Sequence, residues 1–258
     1  MLIAVTRPVS ASLERCELTH LTRESIDVAR AEEQHAGYER VLASLGATIA
    51  RVPAAPDLPD AVFIEDTAIV LDELVVITRP GAPSRRPETA AVAAVLAAYR
   101  APQFIRTMTA PTTLDGGDVL RIGRTIYVGC SGRSNAHGIE QLREFVAPFG
   151  YHIVPVEFTG CLHLKSAVTE IADGVLLANP AWVSSAAFAG CETQSIDERE
   201  PHAANALRIR DAVVFPAQFP RTRERLVRRG IRVTEVDCSE LAKAEGAVTC
   251  CSLVFETS

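Results

Sequence analysis

The stretch TLDGGDVLRIGRTIYVGCSGRSNAHGIEQLREFVAPFGYHIVPV, residues 113–156, decides the fold. It reads as a short apolar strand, a tight turn at Gly123-Arg124, a second strand, a helix that stops at Gly150, and a further strand. Working outward, the same order recurs. Paired strands read as AVFIEDTAIV then LVVITRP, LHLKSAVTEI then GVLLANP, and ANALRIR then AVVFPAQ, starting near Ala61, Leu162 and Ala204. The turns Leu71-Asp72-Glu73, Ala172-Asp173-Gly174 and Arg210-Asp211 are short and polar, as hairpin loops require. A fifth strand, VTCCSLVFE, has no following partner, so it is expected to pair with LIAVTRP at the N-terminus and close the chain on itself.

Helical segments fill the gaps. SIDVARAEEQHAGYERVLASLG stops at Gly46, and PETAAVAAVLAAYR carries Pro87 in its first turn. These run into the strands ATIARVP and PQFIRT. Residues 181–200 have weak periodicity and read as either a helix or a loop. With no Pro/Gly/Ser-rich linker, one α/β domain of pseudo-symmetric strand-strand-helix-strand repeats over residues 1–258 is expected.

If the repeats are equivalent, the polar residues of their first strands converge on the pseudo-symmetry axis. In order these are Glu65 and Asp66, Asp115 and Asp118, His163, Asn205 and Cys250. Carboxylates, an imidazole and a thiol at matching places point to a nucleophilic site. As a strand residue, His163 would face away from Leu162 and Leu164. Cys161, His163, Cys250 and Cys251 also include soft metal ligands, but adjacent strand residues point to opposite faces. At most three converge, which favours adventitious or inhibitory metal over structural zinc. Gly116-Gly117 belongs to no phosphate-loop signature, so no nucleotide is expected.

Composition excludes other classes. The chain has 26 Lys plus Arg against 32 Asp plus Glu, a net charge of −6, so no global field draws it to nucleic acid or anionic membrane. The basic run Arg221, Arg223, Arg225, Arg228 and Arg229 reads as the solvated face of a helix ending at Gly230. Seven cysteines without a C-x-x-C pair suit a reducing cytoplasm, and no leader or membrane-length apolar run is read.

The motifs DVARAEEQH, PDAVFIEDTAIV, ITRPGAPSRR, TLDGGDVL, GRSNAHG, LHLKS, PRTRE and GAVTCCS, in this order, resemble the dimethylarginine dimethylaminohydrolase family of guanidino-modifying enzymes. The resemblance runs nearly end to end. It implies the pentein fold, a five-bladed α/β propeller, with Cys250 as nucleophile, His163 as acid/base and Asp115 orienting it. It also implies substrate contacts at Leu18, Asp60, Glu65, Asp66, Arg85 and Arg133, with a backbone contact near Ala244. The substrate so implied is an Nω-methylated arginine, converted to citrulline and a methylamine with no cofactor or metal. Dimers on an outer ring of helices are compatible with that fold. Residues 179–200 match the family poorly, Ser134 stands where threonine is common, and Ala206 follows Asn205. An arginine deiminase-like hydrolase is the nearest alternative, and a non-catalytic arginine binder or thiol sensor is a second.

Overall fold

The structure, a computed structural model, describes residues 1–257. It contains five three-stranded sheets of one design, in which two strands pair antiparallel, joined by a hairpin in four of the sheets, and the third strand pairs in parallel after a crossover. The stretch 113–156 gives Val119–Ile122, Thr125–Cys130 and His152–Glu157, with the helix Ala136–Val146 before the last. Ala68–Val70, Val75–Ile77 and Ile105–Thr107 form a second sheet. Leu207–Ile209, Ala212–Pro216 and Arg232–Val236 form another. The expected closure is present: Leu253–Glu256 pairs antiparallel with Leu2–Thr6, which pairs in parallel with Thr48–Arg51.

The middle strands explain the sequence pattern. Leu2–Thr6 and Ala212–Pro216 are buried at every residue, so they read as continuous apolar runs rather than alternating ones. First strands of neighbouring sheets lie side by side, Val168–Ala172 beside Leu207–Ile209 and Leu253–Glu256 beside Ala68–Val70. The inner ends of these strands therefore meet at the centre.

Helix Val28–Ser44 covers the closing sheet. Its N-cap Asp27 accepts from Arg30 N at 3.0 Å, and Ala31, Gln34, Tyr38 and Leu42 form its buried stripe. After it, Gly46 takes a left-handed φ of 92°, the conformation that lets glycine end a helix. Tyr38 Oη donates to Val248 O at 2.8 Å, so it must accept from Ser252 Oγ at 2.6 Å. The helix is thereby tied to the turn that carries Cys250.

Two expectations are corrected. Residues 181–200 form no α-helix; a single 3-10 turn at Ser185–Ala187 and the strand Glu192–Ser195 complete the fourth sheet. The chemistry-bearing ends of the first strands are not strand either. Glu65 and Asp66 lie in the 3-10 turn Ile64–Thr67, Asp115 precedes the 3-10 turn Gly116–Asp118, and His163 precedes the one-turn helix Leu164–Ala167. Five extended chains cannot all pass through one axis, and coiling each end lets polar backbone groups find partners within the turn.

The arginine run lies on helix Pro220–Arg228 and just beyond it. Arg223, Arg225, Arg228 and Arg229 pair with Glu235, Asp197, Glu224 and Glu192, which is a solvated ion-pair face. No helix is long and apolar enough to cross a membrane among the described residues.

Candidate active site

At one end of the axis the turns enclose a narrow cleft with a cavity volume of about 20 Å3. Its wall includes Asp60, Asp66, Arg85, Arg133, His163, Ala244 and Cys250 from the sequence-derived set, joined by Glu17, Phe63, Leu162 and Glu245. Three expected residues lie elsewhere. Asp115 is fully buried behind His163, and Leu18 packs half-buried against the apolar cluster around Tyr38 and Leu42. Glu65 lines a second cavity on the opposite side, with Lys165 and Thr249.

His163 is clamped between carboxylates. Its Nε2 lies 3.0 Å from Asp115 Oδ2, and its Nδ1 lies 3.7 Å from Asp66 Oδ1. Asp115 Oδ1 accepts from Gly81 N at 2.8 Å, while Asp66 accepts from Gly117 N at 2.8 Å and from the Arg85 guanidinium. A Cβ on Gly117 would overlap the His163 ring and Asp66, and one on Gly116 would strike Glu65 O. Neither glycine has a positive φ, so the pair is needed for space rather than for backbone freedom.

Arg85 is buried and also bonds both oxygens of Glu88, the carbonyl of Phe63 and, more weakly, that of Asp60. Its remaining donor capacity is at Nη1, beside the cleft. Arg133 is freer: Nη2 donates to Thr19 Oγ1 at 3.2 Å, and Nη1 lies 4.0 Å from Asp115 Oδ2. Above them the segment from Glu17 to Leu21 is held from two sides. Asp60 accepts from Glu17 N, and the Glu245 carboxylate accepts from the backbone N–H of Thr19, His20 and Leu21.

Cys250 sits in the turn before Leu253–Glu256, where its carbonyl accepts from Glu65 N at 3.1 Å. It is half-buried on the cleft wall, whereas Cys251 is sealed in the apolar cluster with its Sγ 3.5 Å from Ala247 O. The two thiols do diverge, though on a turn rather than on a strand. Among the described residues, Asp66, Asp115 and His163 are the one cluster close enough to share a metal, but His163 is bonded to Asp115, and the two carboxylates are taken up by glycine N–H groups and, for Asp66, by Arg85.

The electrostatics assign resting protonation states. Burial alone would discharge His163, but the carboxylates of Asp66, Asp115 and Asp118 outweigh it and raise the imidazole to about 9. Burial opposes ionisation of Asp66, yet His163 and Arg85 bring it down to about 2. Burial, with Glu65 and Asp66 nearby, raises the Cys250 thiol well above its ordinary value. Burial also raises Glu65 against the pull of Lys165, whose Nζ lies 2.5 Å from its Oε1. At neutral pH the site thus holds an imidazolium and a thiol, not a thiolate–imidazolium pair.

Sequence reasoning missed Glu17, Phe63, Leu162, Glu245, Lys165 and Thr249. Phe63, Leu162, Lys165 and Thr249 stand inside motifs already singled out, but Glu245 carries no local signal beyond following Ala244.

Comparison with known proteins agrees with this geometry. The arginine deiminase family model matches residues 6–148. The chain is 35% identical to N(G),N(G)-dimethylarginine dimethylaminohydrolase of Pseudomonas aeruginosa over 98% of both chains. It is 38% identical to the Streptomyces coelicolor protein of that name, over 97% of this chain and 95% of the other. It also superposes on a cysteine-to-serine mutant of the Pseudomonas aeruginosa enzyme complexed with citrulline, with a TM-score of 0.93 at 35% identity over 98% of each chain. On sequence and fold alike, the chain belongs to the dimethylarginine dimethylaminohydrolase family of guanidino-modifying pentein enzymes.

Proposed function

We propose that residues 1–258 form one catalytic domain that hydrolyses Nω-methylated L-arginine to L-citrulline and a methylamine, with Cys250, His163 and Asp115 as its catalytic group. The observation that carries this reading is the shared cleft, in which a half-buried thiol faces an imidazolium held by two carboxylates. Arg85 and Arg133 on its wall suit the α-carboxylate of an amino acid, while Asp60 and Asp66 suit a cation. The solved relative's complex with citrulline supports the product.

The chemistry follows from the resting charges. A guanidinium entering the cleft places positive charge beside Cys250, which favours ionisation; the thiol proton goes to solvent as substrate binds. The thiolate forms a C–S bond to the guanidinium carbon. As the C–N bond to the methylamine breaks, His163 transfers its proton to the departing nitrogen. This leaves an S-alkylthiouronium on Cys250 and a neutral imidazole. His163 next takes a proton from water as the water oxygen attacks the same carbon. When the C–S bond breaks, the proton of the new hydroxyl passes to sulfur, restoring thiol and imidazolium and releasing citrulline. Thiol, imidazole and water suffice for both half-reactions. The reading places the protein in a reducing cytoplasm, where its thiols stay reduced.

The family-model match also favours a second reading, an arginine deiminase-like hydrolase. Purified protein is assayed for citrulline and released amine with dimethylarginine and then with arginine. Citrulline and dimethylamine from the methylated substrate are expected; ammonia from arginine alone would replace the first reading by the second.

A further inference from the structure

Asp118 is a buried carboxylate near the axis that no step above uses. It is wholly shielded from solvent, and its Oδ2 lies 2.6 Å from both Ser131 Oγ and Ser134 Oγ while its Oδ1 accepts from Leu164 N at 3.0 Å. The far ends of these bonds fix their direction. Ser131 Oγ accepts from Arg133 N at 3.0 Å and Ser134 N at 3.2 Å, and Ser134 Oγ accepts from Asp115 N at 3.1 Å. Each hydroxyl hydrogen is therefore left to point at Asp118. Three chains of hydrogen bonds end on one carboxylate, starting from the backbone of Arg133, of Asp115 and of the residue next to His163. There is no slack around it, because a Cβ on Gly129 would press on its Oδ1.

We propose that Asp118 is a positioning residue that sets the placement of His163, Asp115 and Arg133 relative to one another. Its Oδ1 fixes the turn that begins at His163. Its Oδ2, through Ser134 and Ser131, fixes the backbone at Asp115 and the loop that presents Arg133. A carboxylate is required, because all three partners are donors and an amide has one oxygen to meet them. Asp118 also adds negative charge behind the imidazole, alongside Asp66 at Nδ1 and Asp115 at Nε2. The other charged or titratable groups facing the ring across the cleft are Arg85, Arg133, Asp60, Glu17, Glu245 and Cys250. The inference rests on the proposed roles of His163, Asp115 and Arg133.

The test is Asp118→Asn, read by steady-state kinetics with dimethylarginine and by NMR titration of the His163 ring. Losing a hydrogen bond to a charged group is worth about ten- to a hundredfold, so kcat/KM is expected to fall by that factor through both kcat and KM. The His163 titration is expected to move to lower pH. Ser131→Ala loosens the loop that presents Arg133 while the direct Ser134–Asp118 bond still holds Asp115: KM should rise several-fold with the His163 titration unmoved. Should Asp118→Asn fail to fold, an unchanged KM in Ser131→Ala overturns the proposal. Asp118→Asn that folds with kcat/KM within twofold of wild type and an unmoved His163 titration also overturns it. Wild-type protein that releases no citrulline refutes the hydrolase reading instead, and the His163 titration still decides the role of Asp118 in that protein.

Discussion

Asp115→Asn tests how the imidazole is kept charged. Asp115 is wholly buried, with one oxygen 3.0 Å from His163 Nε2 and the other 2.8 Å from Gly81 N. An asparagine that keeps its oxygen on Gly81 N turns its NH2 group toward His163 Nε2. Two donors then face each other unless the ring gives up its proton. Losing a hydrogen bond to a charged group costs about 1.5–3 kcal/mol, and one pKa unit is about 1.4 kcal/mol. His163 should therefore fall by about one to two units from its value of about 9. The alkaline limb of the kcat profile, set by loss of the proton destined for the leaving amine, should shift down by the same amount. The opposite amide orientation keeps the ring charged but leaves Gly81 N–H facing NH2, at a cost of about 1–3 kcal/mol of stability. kcat measured from pH 6 to 10, with urea unfolding of the same protein, distinguishes the two. An alkaline limb and a stability both unchanged from wild type would refute the clamp.

Three further outcomes are expected. Cys250→Ser should abolish turnover, whereas Cys251→Ser should keep kcat within a few-fold and lose about 1–2 kcal/mol for burying a hydroxyl among apolar side chains; equal loss of activity in both would show the nucleophile to be misassigned. Lys165→Met leaves buried Glu65 without its cation, so urea unfolding should show a loss of about 3–5 kcal/mol, largely recovered by adding Glu65→Gln; no recovery in the double variant would mean that the pair is not what matters. Because His163 is raised in the folded state, its contribution to stability is fully present below its ordinary value near 6.5 and is lost as pH rises through about 9. Unfolding free energies from urea titrations at pH 6.5 and 9.5 should differ by at most about 3 kcal/mol from this group, less in His163→Gln; a difference just as large in that variant would assign it to other residues.

The fold was legible wherever local chemistry forces a boundary. Gly46, Gly150 and Gly230 all take the left-handed φ that ends a helical segment, and the polar turns at Gly123-Arg124 and Arg210-Asp211 close two-residue hairpins. The buried middle strands announced themselves as apolar runs because both faces are covered. The site was legible through the repeat, which set Asp66, Asp115, His163 and Cys250 at matching places. What stayed hidden depends on partners remote in sequence. Glu245 holds Thr19, His20 and Leu21 from more than two hundred residues away, and Asp118 reaches Leu164 across a blade boundary. No periodicity encodes either link. Reading the polar ends as strand failed for a related reason: apolar alternation reports burial, and these residues are buried by convergence on an axis rather than by lying on a sheet face. Residues 181–200 gave no clear period because their only regular pieces are one 3-10 turn and a four-residue strand.

The buried charges at the axis also bear on which molecules the cleft admits. With every group ionised, the carboxylates Glu65, Asp66, Glu88, Asp115 and Asp118 face the cations Arg85, Arg133, His163 and Lys165, five against four, before Asp60 on the cleft wall is added. A buried carboxylate persists only if paired or hydrogen-bonded, and each of these is. The cluster nevertheless remains negative, and more so once Glu17 and Glu245 on the same wall are counted with Asp60. A zwitterionic amino acid with a guanidinium side chain carries a net charge of +1, so it offsets part of this excess and supplies positive charge that favours ionisation of the Cys250 thiol. Citrulline has a neutral side chain and leaves the imbalance uncorrected. The charge that admits the substrate is thus the charge the reaction removes, and product release is favoured by the same carboxylates that clamp His163.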